Sequence, residues 1–377
     1  MKALLLGCGE MGQEALKDLY EFGGFDEILV GTRSGVRAGK IVAQLQGQPT
    51  QCKVIPIDVR DINSVVDLMK GCTVSINCTG PNYENEIPIA QAAITAKVPL
   101  VDINDEFEIT LKMLDFNEKA REAGVLIILG LGGCPGIDNI LVSAAAKQLD
   151  HVEEIHTAWV MSGADPGGLA LSYHLLYSLS GKALTFNGSS FSEVRSFIDG
   201  KERIEFPQPI GAVDVYHIGH PEPITLSRTF PDATYVDNKA TFVPSSVNDL
   251  IVQLGKLVRD AKENILVNGH SIKTMDFAAS YLHHHCKKLT GVPMEAALRI
   301  EVRGSKNGKK RAVNFSSAGR LGRATGVPAS IGAIMIAQKR IAMTGVFPPE
   351  ACIEPNDFLY EIIDRRNIAR LNGWIED

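Results

Sequence analysis

The chain has 377 residues, 45% of them apolar and 22% charged, with a formal net charge of −6. That length fits one very large domain or two ordinary ones, and the composition is that of a globular protein. The acidic balance argues against nucleic acid as a partner, and no apolar run is long enough to span a bilayer.

Residues 3–6 read as a buried parallel strand that runs directly into Gly7-Cys8-Gly9-Glu10-Met11-Gly12. Met11, Ala15, Leu16, Leu19 and Tyr20 then fall on the stripe of an amphipathic helix. Strand, glycine turn and helix in that order are the context in which Gly-x-Gly-x-x-Gly cradles a dinucleotide. Gly7 makes the tight turn, Gly9 lets the backbone approach a pyrophosphate, and Gly12 lets helix and strand touch. The helix N-terminus meets the negative charge. A second strand is expected at 27–31, and the residues after it distinguish the nicotinamide cofactors. NAD-binding proteins carry an acid there for the ribose hydroxyl, whereas this chain has Thr32-Arg33-Ser34, with Arg37 close behind. Two hydroxyls and a guanidinium suit a 2′-phosphate, so NADP(H) is expected in preference to NAD. A solvated loop charge is the plainer reading of Arg33.

A third strand is expected at 54–59, placing Asp58 and Val59 beside the cofactor. A helix at 61–69 and a strand at 73–77 lead into Cys78-Thr79-Gly80-Pro81-Asn82-Tyr83. Open α/β sheets bind ligands in the loops after the carboxyl ends of their strands. Thr79, Gly80, Asn82 and Tyr83 are therefore candidates for the nicotinamide ribose or the substrate, with Cys78 beside the cofactor, although a Gly-Pro turn before a helix at 84–96 explains the same residues structurally. A fifth strand at 98–103 brings Asp102 and Asn104 to that side. A helix at 107–123 and a strand at 125–129 complete a doubly wound pattern. The next loop is Leu131-Gly132-Gly133-Cys134-Pro135-Gly136-Ile137-Asp138-Asn139. Gly133 is assigned to the cofactor. Asp138 and Asn139 are either ligand-facing or ordinary helix caps, and Cys134 is a better packing residue than nucleophile, with no base near it in sequence.

Beyond about residue 150, strand signals come without long intervening helices. Residues 298–303 alternate strictly and pass through Asn307-Gly308 into 311–315, a strong hairpin signal. The second half is therefore expected to be α+β on a mostly antiparallel sheet. Residues 327–341 are apolar on several faces and read as a buried helix. Two polar stretches stand out: Leu179-Ser180-Gly181-Lys182, and His217 to Arg228 with His220 and Glu222 between them. Arg228 and Lys182 could anchor a carboxylate, and a histidine near neutral pKa can move a proton. His283-His284-His285 invites a metal reading, but consecutive residues on a helix point different ways, so no metal is assigned.

The residues quoted so far carry a family resemblance. The glycine fingerprint, the loop from Asn77 to Tyr83, Val101-Asp102 and above all Leu131 to Asn139 resemble the saccharopine dehydrogenase superfamily. Gly345-Val346-Phe347-Pro348-Pro349-Glu350 resembles the ending of its lysine 6-dehydrogenase-like branch. That branch keeps Asp after the second strand, where this chain has Thr32-Arg33-Ser34. The resemblance implies a Rossmann domain over 1–138, completed by about 319–377, and an α+β substrate and dimerisation domain over 139–318. It also implies hydride exchange at an amino-acid C–N bond and a homodimer.

The resulting expectation is an NADP-dependent oxidoreductase reducing an imine or oxidising an amine of an amino acid. Thr79, Gly80, Tyr83 and Asp102 line the nicotinamide end, and Asp138 or His220 handles the proton. Lysine 6-dehydrogenase-type oxidative deamination and a non-catalytic NADP-binding sensor are the rival readings. The seven cysteines are scattered, odd in number and without metal-ligand spacing. With the chain starting inside its first strand, no signal peptide fits, and a cytoplasmic protein is expected.

Overall fold

In β1 (Lys2–Leu6) the residues from Ala3 to Leu6 are all buried, as in a strand covered on both faces. The computed structural model to which it belongs describes residues 1–165, 167–178, 181–260, 264–368 and 370–376. β1 passes through the glycine turn into α1 (Glu10–Phe22), whose Ala15, Leu16 and Leu19 are buried. The alternation continues with β2 (Glu27–Thr32), α2 (Gly35–Val42), β3 (Gln51–Pro56), α3 (Ile62–Met69), β4 (Val74–Asn77), α4 (Asn82–Ala96) and β5 (Leu100–Asp102). β3 sits earlier than expected, so Asp58 and Val59 lie in the loop beyond it. The single helix expected over 107–123 is two, α5 (Phe107–Leu114) and α6 (Asn117–Ala123). β6 (Leu126–Ile128) and α7 (Ile137–Ala146) follow, and the chain passes from its first unit to its second within α7.

The second unit contains β7 (His151–Ser162), α8 (Leu169–Tyr177), β8 (Lys182–Phe186), β9 (Phe191–Arg195), β10 (Glu202–Phe206) and β11 (Gly211–His217). It continues with α9 (Glu222–Thr229), β12 (Tyr235–Val243), α10 (Ser246–Asp260), β13 (Ile265–Val267), β14 (His270–Ile272), α11 (Thr274–Cys286), β15 (Ala296–Lys306) and β16 (Lys309–Gly319). The chain then returns to the first unit with α12 (Leu321–Ala337), β17 (Gly345–Phe347), α13 (Pro349–Cys352) and α14 (Pro355–Tyr360), and ends in β18 (Arg370–Glu376).

The first unit holds a seven-stranded, all-parallel sheet in the order β17-β6-β5-β4-β1-β2-β3. The chain builds outward from β1 on one side, then crosses over to build outward from β4 on the other. That reversal makes the crevice beside β1 and β4 the position where such a sheet takes a ligand. In register, Leu6 pairs with both Gly31 and Asn77, which aligns the carboxyl ends of the three central strands. Within this unit α12 is buried from Gly326 to Ala337. Ser330 Oγ donates to Asp18 Oδ2 of α1 at 2.6 Å, and Arg366 Nε donates to Asp18 Oδ1 at 2.6 Å.

The second unit is α+β. Its sheet runs β10-β11-β12-β7-β15-β16-β18, with the β8–β9 hairpin attached through β12. Only β7 and β12 pair in parallel; the other pairings are antiparallel. β15 turns into β16 through Asn307 and Gly308, at φ 52° and 76°. β18 pairs with β16, so the expectation that 319–377 completes the first domain is corrected at its end: residues 370–376 belong to the second sheet. No helix among the described residues is long and apolar enough to cross a membrane.

Candidate active site

The glycine turn is shaped by close backbone approach. Gly7 has φ 86°, and a Cβ there would lie 2.6 Å from the carbonyl oxygen of Cys78. A Cβ on Gly12 would sit 2.1 Å from the Gly7 carbonyl oxygen. By contrast, nothing lies within 4 Å of the Cβ position of Gly9. Gly9 is the N-cap of α1 and has no side chain to cap it, which leaves first-turn N–H groups to an outside acceptor. This cradle fits a pyrophosphate. Cys8 is buried, and burial raises its thiol pKa, so it is a wall residue rather than a nucleophile. Glu10 accepts from Gln13 and from Arg37 Nη1 at 3.1 Å, so Arg37 neutralises an acid beside the cradle. Met11 is half-buried in the same turn.

Thr32 ends β2, Arg33 is exposed, and Ser34 is the N-cap of α2 with no capping bond from its side chain. A hydroxyl, a guanidinium and a helix N-terminus thus stand at one corner, a donor set that fits a 2′-phosphate. Asp58 is tied to Arg60, whose Nε donates at 2.9 Å. Those bonds, with Arg33 adding to them, hold its carboxyl down at about 2. Val59 packs against the apolar core.

Past β4, Asn77 Oδ1 accepts from the Thr79 N–H at 3.0 Å and from Thr79 Oγ1 at 2.7 Å. Burial pushes the Cys78 thiol far up, so it too is no nucleophile. Gly80 is half-buried, Tyr83 packs on the core cluster, and Asn82 donates to Asp105 at 3.1 Å. Asp102 is fully buried, and its Oδ1 accepts from the N–H groups of Asn104 and Gly130, both at 2.8 Å. Those bonds fasten the loops after β5 and β6. Further along, the turn at 132–137 closes on itself. Gly136 has φ 132°, a Cβ there would lie 2.1 Å from the Gly132 carbonyl oxygen, and Asn139 Oδ1 accepts from its N–H at 2.9 Å. Gly133 faces Ala324 and Thr325 of α12, not an open cradle. Asp138 is buried, and its Oδ1 accepts from the Asn139 N–H at 2.8 Å.

Residues 3–128 match the family model described as the saccharopine dehydrogenase NADP binding domain. Over nearly its whole length the chain is similar to the carboxyaminopropylagmatine dehydrogenase of Synechocystis sp., at 23% identity across 96% of this chain and 95% of that protein. It is also similar to the carboxynorspermidine synthase of Vibrio cholerae, at 23% identity across 95% and 94%. The fold is similar to that of apo saccharopine dehydrogenase (L-Glu forming) from Saccharomyces cerevisiae, with a TM-score of 0.70, 15% identity and both chains covered in full. The chain is an oxidoreductase that resembles saccharopine dehydrogenase and carries that family's type of NADP binding domain at residues 3–128.

The oxidoreductase binds NADP(H). In its second unit His220 and Glu222 are both buried, with His220 Nδ1 3.1 Å from Glu222 Oε1. The His220 ring lies 5.1 Å from that of Trp159 and 5.7 Å from that of His174. Glu222 opens α9, so the stretch after His220 is a helix where a polar loop was expected. Arg228 is exposed on the last turn of that helix, and the exposed Lys182 pairs with Glu193 at 2.5 Å on the β8–β9 hairpin. Leu179 and Ser180 lie outside the described residues. His283, His284 and His285 lie in succession on α11, with the His285 ring 6.4 Å from that of Tyr281. A cleft of about 180 Å³ also opens within the second unit, among His156, Asp237, Lys239, Arg299, Glu301 and Arg303. Sequence reading passed over Glu86, which is buried on α4 and receives a 2.8 Å hydrogen bond from Asn77 Nδ2. No motif marks it, because its partner is nine positions away.

Proposed function

We propose that this oxidoreductase reduces an imine linking an amino-acid skeleton to an amine, or oxidises the corresponding secondary amine, with NADPH preferred over NADH. The observation that carries the reading is that similarity to two enzymes named for carboxylated amines spans 95–96% of the chain, not the cofactor domain alone. Bound nicotinamide supplies or accepts the hydride. This chain's residues orient the cofactor and control charge. The turn from Gly7 to Gly12 holds the pyrophosphate, and Thr32, Arg33 and Ser34 hold the 2′-phosphate. Cys78, Thr79, Gly80 and Tyr83 border the nicotinamide end.

When hydride adds to a neutral imine carbon, the nitrogen must gain a proton. His220 is the proposed group. Its Nδ1 is held by Glu222, which fixes the orientation of the ring. Asp138, whose Oδ1 serves the start of α7, is the weaker candidate. A homodimer built through the second domain completes the proposal.

A screen pairing amines with oxo acids or amino-acid semialdehydes, read as loss of NADPH absorbance, tests it. Turnover with at least one pair is expected, and His220→Ala should lower kcat by about 10²- to 10⁴-fold. NADP⁺ reduction with a free amino acid alone would point to oxidative deamination. Silence in both directions would leave an NADP-binding sensor.

A further inference from the structure

Glu86 on α4 and Asp102 at the end of β5 are 1% and 0% exposed; Asn77, which bonds Glu86, lies directly opposite Asp102 in the sheet register, and the two carboxyls act on each other. Two ionised carboxylates have no donor between them, so one must carry a proton. The surrounding bonds identify the oxygens that share it. Asn77 Nδ2 donates to Glu86 Oε2, and the Asn104 and Gly130 N–H groups donate to Asp102 Oδ1, all at 2.8 Å. Among the described residues no donor reaches Glu86 Oε1 or Asp102 Oδ2. A proton on Glu86 Oε1, donated to Asp102 Oδ2, satisfies both.

The charges agree with that placement. Burial, then the Asp102 charge, raise the Glu86 carboxyl well above its ordinary range, against the opposing Asn77 bond. Burial also raises Asp102, but the two backbone N–H groups and Glu86 pull it back toward the carboxylate. Asp105 and Glu106 face the pair from the loop after β5 and add negative charge. The neutral Cys78 thiol flanks the pair from the end of β4.

We propose that Glu86 and Asp102 form a carboxylic acid–carboxylate positioning pair, whose shared proton fastens together the loops after β4, β5 and β6 that present the nicotinamide end of the NADP(H) site. The observed bonds join Thr79 to Asn77 and Asn77 to Glu86, and Asp102 to Asn104 and Gly130; the shared proton links the two sets. Both side chains are too buried to touch substrate, so the pair acts through the loops. The inference rests on the cofactor reading of these loops and not on the substrate proposed above; a failed turnover screen would leave it standing.

Glu86→Gln provides the test, because the amide donates to Asp102, accepts from Asn77 and cannot ionise. The wild-type native state holds a proton that an unfolded glutamate, with a pKa of about 4.3, releases. Wild-type stability relative to Glu86→Gln should therefore fall as pH rises above about 4.3. Melting temperatures without cofactor should diverge in favour of Glu86→Gln as pH rises. In fluorescence titrations with NADPH, Glu86→Gln should bind within about 3-fold of wild type. Glu86→Ala should bind roughly 5- to 30-fold more weakly. A melting difference that does not change with pH would overturn the proposal, as would Glu86→Gln binding as weakly as Glu86→Ala. If Glu86→Ala does not fold, the pH series on Glu86→Gln decides alone.

Discussion

The proposed role of Arg33 at the 2′-phosphate rests on residues that stand next to one another. Thr32, Arg33 and Ser34 follow one another in sequence, so their chemistry can be read as a unit from the chain itself. Arg33→Ala removes one charge-assisted contact of about 1.5–3 kcal/mol. NADPH affinity should fall about 10- to 150-fold, while NADH affinity, measured by the same titration, should hardly move. Equal losses for both cofactors would reduce Arg33 to a solvated loop charge. Lys182 and Arg228 are legible only as basic side chains. A basic side chain carries no sequence mark of which way it faces, and both are exposed, Lys182 beside Glu193. Glu86 was invisible because its meaning lies in Asn77 and Asp102, on two different strands.

Strand pairing is where the second unit stores its electrostatics. β7 and β12 run parallel with His156 directly opposite Asp237, and His156 Nδ1 lies 2.9 Å from Asp237 Oδ1. Burial opposes a charge on His156, but the buried Asp237 and then Glu154 outweigh it and raise the imidazole pKa. Lys239 also reaches Asp237, at 3.3 Å. A histidine whose folded pKa exceeds its unfolded value of about 6.5 adds stability that is complete below that value. The contribution is lost as pH rises through the folded pKa. His156→Ala should therefore lower the melting temperature by several degrees near pH 6, on the order of 1.5–3 kcal/mol. The gap should close at alkaline pH. A gap that stayed constant would mean His156 is neutral and only packs. The alternation of β15 and its Asn307-Gly308 turn were readable because hairpin contacts are local. The partner of β7 was not, since Tyr235 to Val243 lie about eighty positions downstream.

At the scale of the whole chain, the segment Gly322–Ile368 folds back into the first unit across more than three hundred positions of sequence. The buried Asp18 of α1 accepts from Ser330 and Arg366; Arg366 also bonds the buried Glu361 and lies 4.4 Å over the Phe22 ring. Removing one member of a buried ion network strands the others in a medium that cannot solvate them, at about 3–5 kcal/mol. Arg366→Ala should lower the melting temperature by on the order of 10 °C and expose α1 to hydrogen exchange. A shift of a degree or two would show that α12 packing alone holds the segment. The sequence by itself determined the dinucleotide fold and its phosphate cradle, because strand, glycine turn and helix are set by short-range sterics and periodicity. Tertiary structure alone decided which acids are buried as a pair, which cations reach water, and that residues 370–376 join the second sheet. Those outcomes depend on neighbours brought together by folding, and solvation and charge pairing have no signature until the neighbours are in place.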